Sequence, residues 1–96
     1  MCSIIGYYGN EIASTIIVKG LKRMEYRGYD SVGVATESNS QIELKKGTGK
    51  VNEVNSKIHL DSLPGKIGMG IQDEPLMDKL LILMHIHIQV TQEKLP

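Results

Sequence analysis

The chain has no tryptophan and no phenylalanine, and four tyrosines are its only aromatic residues. Any core must therefore be filled by Leu, Ile, Val and Met, with help from tyrosine rings. Cysteine occurs once, at Cys2. A single thiol excludes an internal disulfide and fits a reducing compartment. Neither sign of charge prevails, with 11 basic and 11 acidic residues and a net charge of zero. No electrostatic footprint for nucleic acid or an anionic membrane results, and neither is expected as a partner. The longest apolar run, Leu80-Leu81-Ile82-Leu83-Met84, is far too short to span a bilayer. No basic region followed by an apolar one opens the chain, so no signal peptide is expected and the location is read as cytoplasmic. What remains is a chain of 96 residues, 41% hydrophobic, which bounds it to one small globular domain.

Local pattern gives an alternating set of elements. Ser3 to Tyr8 reads as a short buried strand closed by Gly9 and Asn10. Asn10 can cap a helix, and Glu11 suits the helix's positive end. Ile12, Ile16, Ile17, Leu21 and Met24 then recur at helical spacing. Arg27-Gly28-Tyr29-Asp30 reads as a turn and Ser31 to Thr36 as a second strand. Glu37-Ser38-Asn39-Ser40 is turn chemistry, and Gln41 to Lys46 alternates as a half-exposed strand, so the pair predicts a hairpin. Gly47 and Gly49 are expected to end it. Val51 to Ile58 suits a short helix, Pro64-Gly65 a turn, and Lys66 to Ile71 a further strand. This order implies an α+β layered sandwich.

The chemistry-bearing residue is Cys2. Removal of Met1 places a thiol and a free α-amine on one residue. That amine titrates at roughly 7.7–8.0, so near neutrality it can serve as base for its own thiol. The surrounding residues carry a resemblance. Met1-Cys2-x-Ile4-Ile5-Gly6-Tyr7 and Gly20-Leu21-Lys22-Arg23-Met24-Glu25-Tyr26-Arg27-Gly28-Tyr29-Asp30-Ser31-x-Gly33-Val34-Ala35 resemble the start of the glutamine–fructose-6-phosphate aminotransferase family, within the class II (N-terminal-nucleophile) glutamine amidotransferases. Gly47-Thr48-Gly49-Lys50-Val51 and Leu63-Pro64-Gly65-Lys66-Ile67-Gly68-Met69-Gly70 continue it in register. The resemblance implies the N-terminal part of an αββα layered sandwich and a reaction on glutamine. It implies Cys2 as the nucleophile, with its amine as base, and Arg27 and Gly28 lining the pocket, where a guanidinium can hold a carbonyl or carboxylate. No cofactor and no metal are implied, and full-length members are homo-oligomers. Ser3 stands where the family has glycine beside the nucleophile, and its side chain adds bulk there.

The resemblance stops at one residue. After Gly70 the family continues His-Thr-Arg-Trp-Ala-Thr-His-Gly and later Asn-Ala-His-Pro-His, whereas this chain reads Ile71-Gln72-Asp73-Glu74-Pro75-Leu76-Met77-Asp78. Back-translation of Gly70 to Lys79 as GGC ATA CAA GAT GAG CCA CTC ATG GAC AAA, read from the final C of GGC, gives His-Thr-Arg-stop-Ala-Thr-His-Gly. Met84 to Ile88 similarly contains Asn-Ala-His-Pro-His. The sequence is therefore expected to divide into a partial type 2 amidotransferase domain over 1–70 and a frameshifted, non-homologous tail over 71–96. In that tail Leu76 to Met84 predicts an amphipathic helix or a sticky strand. His85-Ile86-His87 would place two imidazoles on one strand face, but no third or fourth ligand accompanies them. The expected function is a fragment with little or no glutaminase activity. Two alternatives are a glutaminase completed by another chain and a small binding protein whose tail is selected.

Overall fold

A computed structural model describes residues 3–25, 31–72 and 79–94. The elements run β1 (Ser3–Tyr8), α1 (Ala13–Met24), β2 (Ser31–Ser38), β3 (Gln41–Thr48), α2 (Val51–Ile58), a 3₁₀ turn (Leu60–Ser62), β4 (Ile67–Gln72) and α3 (Leu80–Lys94). The four strands form one antiparallel sheet in the order β1-β4-β2-β3. Helices α1 and α2 pack on one face, and α3 packs on the other.

The first face holds the larger core. Ala13, Ile17, Val18 and Leu21 of α1 meet Val32 and Val34 of β2 and Val51 and Val54 of α2. Two glycines set how closely α1 lies on β4. A Cβ on Gly70 would stand 2.5 Å from Ile17 Cγ2 and 2.8 Å from Leu21 Cδ1, and one on Gly68 would stand 2.8 Å from Ile17 Cδ1. Bare backbone here lets both helical side chains rest on the strand. The helix face differs from the expected one at its start. Ile12 is 49% exposed, while Ser14 is fully buried, its hydroxyl 2.7 Å from the Leu63 carbonyl oxygen and 3.0 Å from that of Asp61. The expected cap at Asn10 also moves. Ile12 is the N-cap, without a side-chain bond, and the Ala13 N–H donates to Gly65 O at 2.9 Å. A backbone acceptor from a distant turn replaces the local side-chain cap.

The predicted hairpin is present and longer than expected. Glu37 and Ser38 remain in β2, leaving a two-residue loop, Asn39-Ser40, with φ of 54° and 66°. Paired positive φ values belong to the tight loops that match strand twist. Gly47 does not end β3. It lies inside the strand, where a Cβ would be 2.9 Å from Val54 Cγ1, so its role is to admit α2. The helix over Val51–Ile58 falls where the sequence predicts it. Lys45 closes its far end, its Nζ 2.9 Å from the Ile58 carbonyl oxygen.

On the second face Leu80 and Met84 of α3 are fully buried against Ala35, Ile67 and Ile71. In an αββα arrangement that face meets a second sheet; here a single helix occupies it. The strand expected around His85-Ile86-His87 is helix instead. Leu76 and its neighbours to Asp78 lie outside the described residues. No helix among the described residues is long and apolar enough to cross a membrane.

Candidate functional site

Cys2, Arg27 and Gly28 all lie outside the described residues, so their side-chain geometry is not part of the structure. Their chain neighbours are described, and they meet at one end of the sheet. Ser3, next to Cys2, pairs with Gln72 at the end of β4. Glu25 and Ser31 bracket the segment that carries Arg27 and Gly28. Ser31 opens β2, which pairs with β4 through Gly33 and Ile71. The sheet thus brings the entry to β1, both ends of the Arg27-Gly28 segment and the end of β4 into one neighbourhood.

Two polar residues that the sequence did not single out hold this end together. Glu25 Oε2 accepts from the Val51 N–H at 2.7 Å and from Gln72 Nε2 at 3.5 Å. A carboxylate at the first N–H of α2 is stabilised by the helix dipole, by roughly 0.3–1 kcal/mol. It also ties the C-cap of α1 to the start of α2 and the tip of β4. Gln72 is fully buried, and its Oε1 has no partner among the described residues. A buried amide oxygen without a donor is unfavourable by about 1–3 kcal/mol. Glu25 alone offered a sequence signal, being an acid just beyond a helix that ends in Lys22 and Arg23.

The tail's histidines do not form a site. Residues two apart on a helix point to nearly opposite sides. His85 Nδ1 lies 2.9 Å from the Leu81 carbonyl oxygen, and His87 Nε2 lies 3.3 Å from that of Tyr7 on β1. Among the described residues no three His, Cys, Asp or Glu side chains are grouped to hold a metal. A shallow depression of about 280 Å³ on the outer side of α1 is lined by Asn10, Glu11, Ile12, Thr15, Ile16 and Lys19, remote from the Cys2 end of the sheet.

Comparison with known proteins gives this arrangement a relationship. No family model matches the chain. The glutamine–fructose-6-phosphate aminotransferase of Methanococcus maripaludis is 60% identical over 70 residues, and that of Pyrococcus horikoshii is 56% identical over 70. Each match covers 73% of this chain and 12% of the relative, so the chain spans a small part of the length of these enzymes. Among solved structures, the glutamine phosphoribosylpyrophosphate amidotransferase from B. subtilis, complexed with ADP and GMP, superposes with a TM-score of 0.64 at 28% identity. That match covers 70% of this chain and 15% of the other. The fold is thus shared with a purine-pathway amidotransferase, while sequence identity is far higher to the amino-sugar enzymes. The family-like segment of this chain belongs to the N-terminal region of the glutamine–fructose-6-phosphate aminotransferases, on part of an N-terminal-nucleophile amidotransferase fold.

Proposed function

We propose that this chain is a disabled glutaminase fragment of a cytoplasmic aminotransferase, and that residues 71–96 are out of frame. The observation that carries this is the coincidence of two boundaries. Identity of 56–60% extends over 70 residues, and the family motifs break at Gly70.

The ancestral chemistry can be written on this chain's residues. With Met1 removed, the α-amine of Cys2 takes the thiol proton, and the thiolate attacks the side-chain carbonyl carbon of glutamine. The C–N bond breaks, and the amide nitrogen leaves as ammonia with the proton that the amine held. Water then adds to the thioester, releasing glutamate and restoring the thiol. Arg27 holds a carbonyl or carboxylate of the substrate, and Gly28 leaves room beside it. In a complete aminotransferase the ammonia passes to fructose 6-phosphate.

The defect lies directly after Gly70. The resemblance puts an arginine that clamps the α-carboxylate of glutamine at the third position beyond that glycine. Asp73 occupies it here, so a carboxylate, of the same sign as the substrate's own, stands in place of the guanidinium. A lost charged hydrogen bond is worth roughly 1.5–3 kcal/mol. With repulsion added, a loss of about 3–5 kcal/mol corresponds to some 10²–10⁴ in rate. Incubation of the chain with glutamine is expected to release glutamate no faster than its Cys2→Ala variant. Turnover above that control would refute the proposal. Sequencing the source DNA from codon 66 onward tests the frame: one inserted base at codon 70 should reopen a frame encoding His-Thr-Arg.

A further inference from the structure

The sheet has two outer strands of opposite chemistry. β3 carries Glu43, Lys45 and Lys46, the charges with which natural edge strands resist pairing. β1, with the sequence SIIGYY, carries no charge and no proline. Among the described residues β1 pairs only with β4, so one row of its backbone N–H and C=O groups faces outward without a ladder partner.

A second observation lies beside the same edge. Ile4 and Tyr8, on the α3 side of β1, are 45% and 50% exposed. Helix α3 leans over this strand, since His87 reaches the Tyr7 carbonyl and lies against Gly6. At 100° per residue, the positions that follow Met84 and His87 around the helix towards β1 are Leu83, Val90 and Ile86. Ile82, Ile86 and Val90 form a row at four-residue spacing, 61%, 54% and 45% exposed. From Leu80 to Gln92 the helix has no Asp, Glu, Lys or Arg. The uncharged strand edge and the uncharged helix row therefore border one side of the molecule.

We propose that this side binds a second copy of the chain. The two β1 strands pair antiparallel about a two-fold axis perpendicular to the sheet, fusing two four-stranded sheets into one of eight strands. That operator keeps both α3 helices on the same face and turns the Ile86 and Val90 rows towards each other. A two-fold contact uses one self-complementary patch, and a patch without charge meets no like charge in its copy. The chain's zero net charge adds no long-range repulsion. One strand pair and a few apolar side chains make a small interface, so weak, concentration-dependent association is expected.

The test is sedimentation of the full chain from about 1 to 200 μM, a range in which weak association shows. The average mass should climb from one copy to two. Ile4→Lys, which places a lysine at the outer strand, should weaken association at least tenfold. Leu44→Lys, on the charged opposite edge where Leu44 is 40% exposed, should leave it unchanged. Hydrogen exchange should show β1 amides gaining protection with concentration, a readout that holds even if Ile4→Lys does not fold. A monomer across the whole range, equal loss with both lysine variants, or no concentration-dependent protection in β1 would each overturn the proposal.

Discussion

Gly70→Ala adds one methyl group where α1 rests closely on β4. The new Cβ would meet Ile17 Cγ2 at 2.5 Å, Leu21 Cδ1 at 2.8 Å and Leu21 Cγ at 3.3 Å. Both partners are fully buried, so neither has free space to move into. Overpacking of this kind destabilises by about 1–3 kcal/mol. Against it stands the loss of glycine's extra freedom in the unfolded chain, roughly 0.4–1 kcal/mol in favour of alanine. The steric term wins, and a net loss of about 1–2 kcal/mol is expected. For 96 residues, total stability is on the order of 5–14 kcal/mol, so the loss is measurable. Ile17→Ala alone should lose about 2–5 kcal/mol through its cavity. The double variant should be more stable than the sum of the singles by roughly 1 kcal/mol, because the added methyl enters the space of the lost Cγ2. The assay is urea unfolding followed by circular dichroism, with midpoints and slopes compared across the four proteins. A neutral or stabilising Gly70→Ala, or strict additivity with Ile17→Ala, would refute the claim that α1 rests on bare strand backbone.

Two further outcomes follow from the backbone. Ser40 sits at φ 66° in the hairpin loop, a conformation that glycine adopts without strain. Ser40→Gly should therefore raise stability by about 0.5–1 kcal/mol, read as a higher urea midpoint with an unchanged slope, and a loss of stability would count against the two-residue loop. Zinc at a hundredfold excess should leave the thermal midpoint in place, because the helix separates His85 from His87; a rise of several degrees, reversed by chelator, would show that these residues meet in another conformation.

The strands were legible from two different patterns. β2 is a short apolar run buried on both faces, Val32 and Val34 towards α1 and Ala35 towards α3, while β3 alternates polar and apolar at the sheet's edge; both were readable, as was Val51–Ile58 between its glycines and His59. The start of α1 was not readable from Asn10, because its first N–H groups are met by Gly65, over fifty residues later. Gly47 read as a breaker, since sequence cannot show that Val54 packs over it. α3 was ambiguous for a different reason: its apolar residues surround the helix, so no stripe distinguished helix from strand. Cys2 and Arg27 are assigned to the site through chemistry and resemblance alone and lie outside the described residues. The partnership of Glu25 and Gln72, which ties that end of the sheet together, was not legible, because it depends on β4 ending beside the C-terminus of α1.

Helix α3 bears on what a broken reading frame does to a fold. The second face of the sheet offers Ala35, Ile67, Ile71 and Met69 to any partner with apolar side chains. Ordered packing asks little of sequence beyond hydrophobicity and about the right volume. Leu80 and Met84, one helical turn apart, satisfy that and are fully buried. On the proposed frame, a tail not selected for this fold can thus dock on it, and its other side is open to the same reading. A helix shaped by selection keeps charge on its outer surface. Here Ile82, Ile86 and Val90 face outward with no charged neighbour from Leu80 to Gln92. Burial on one side and exposed apolar rows on the other are what the proposed out-of-frame origin of residues 71–96 would leave, since neither requires selection for this fold.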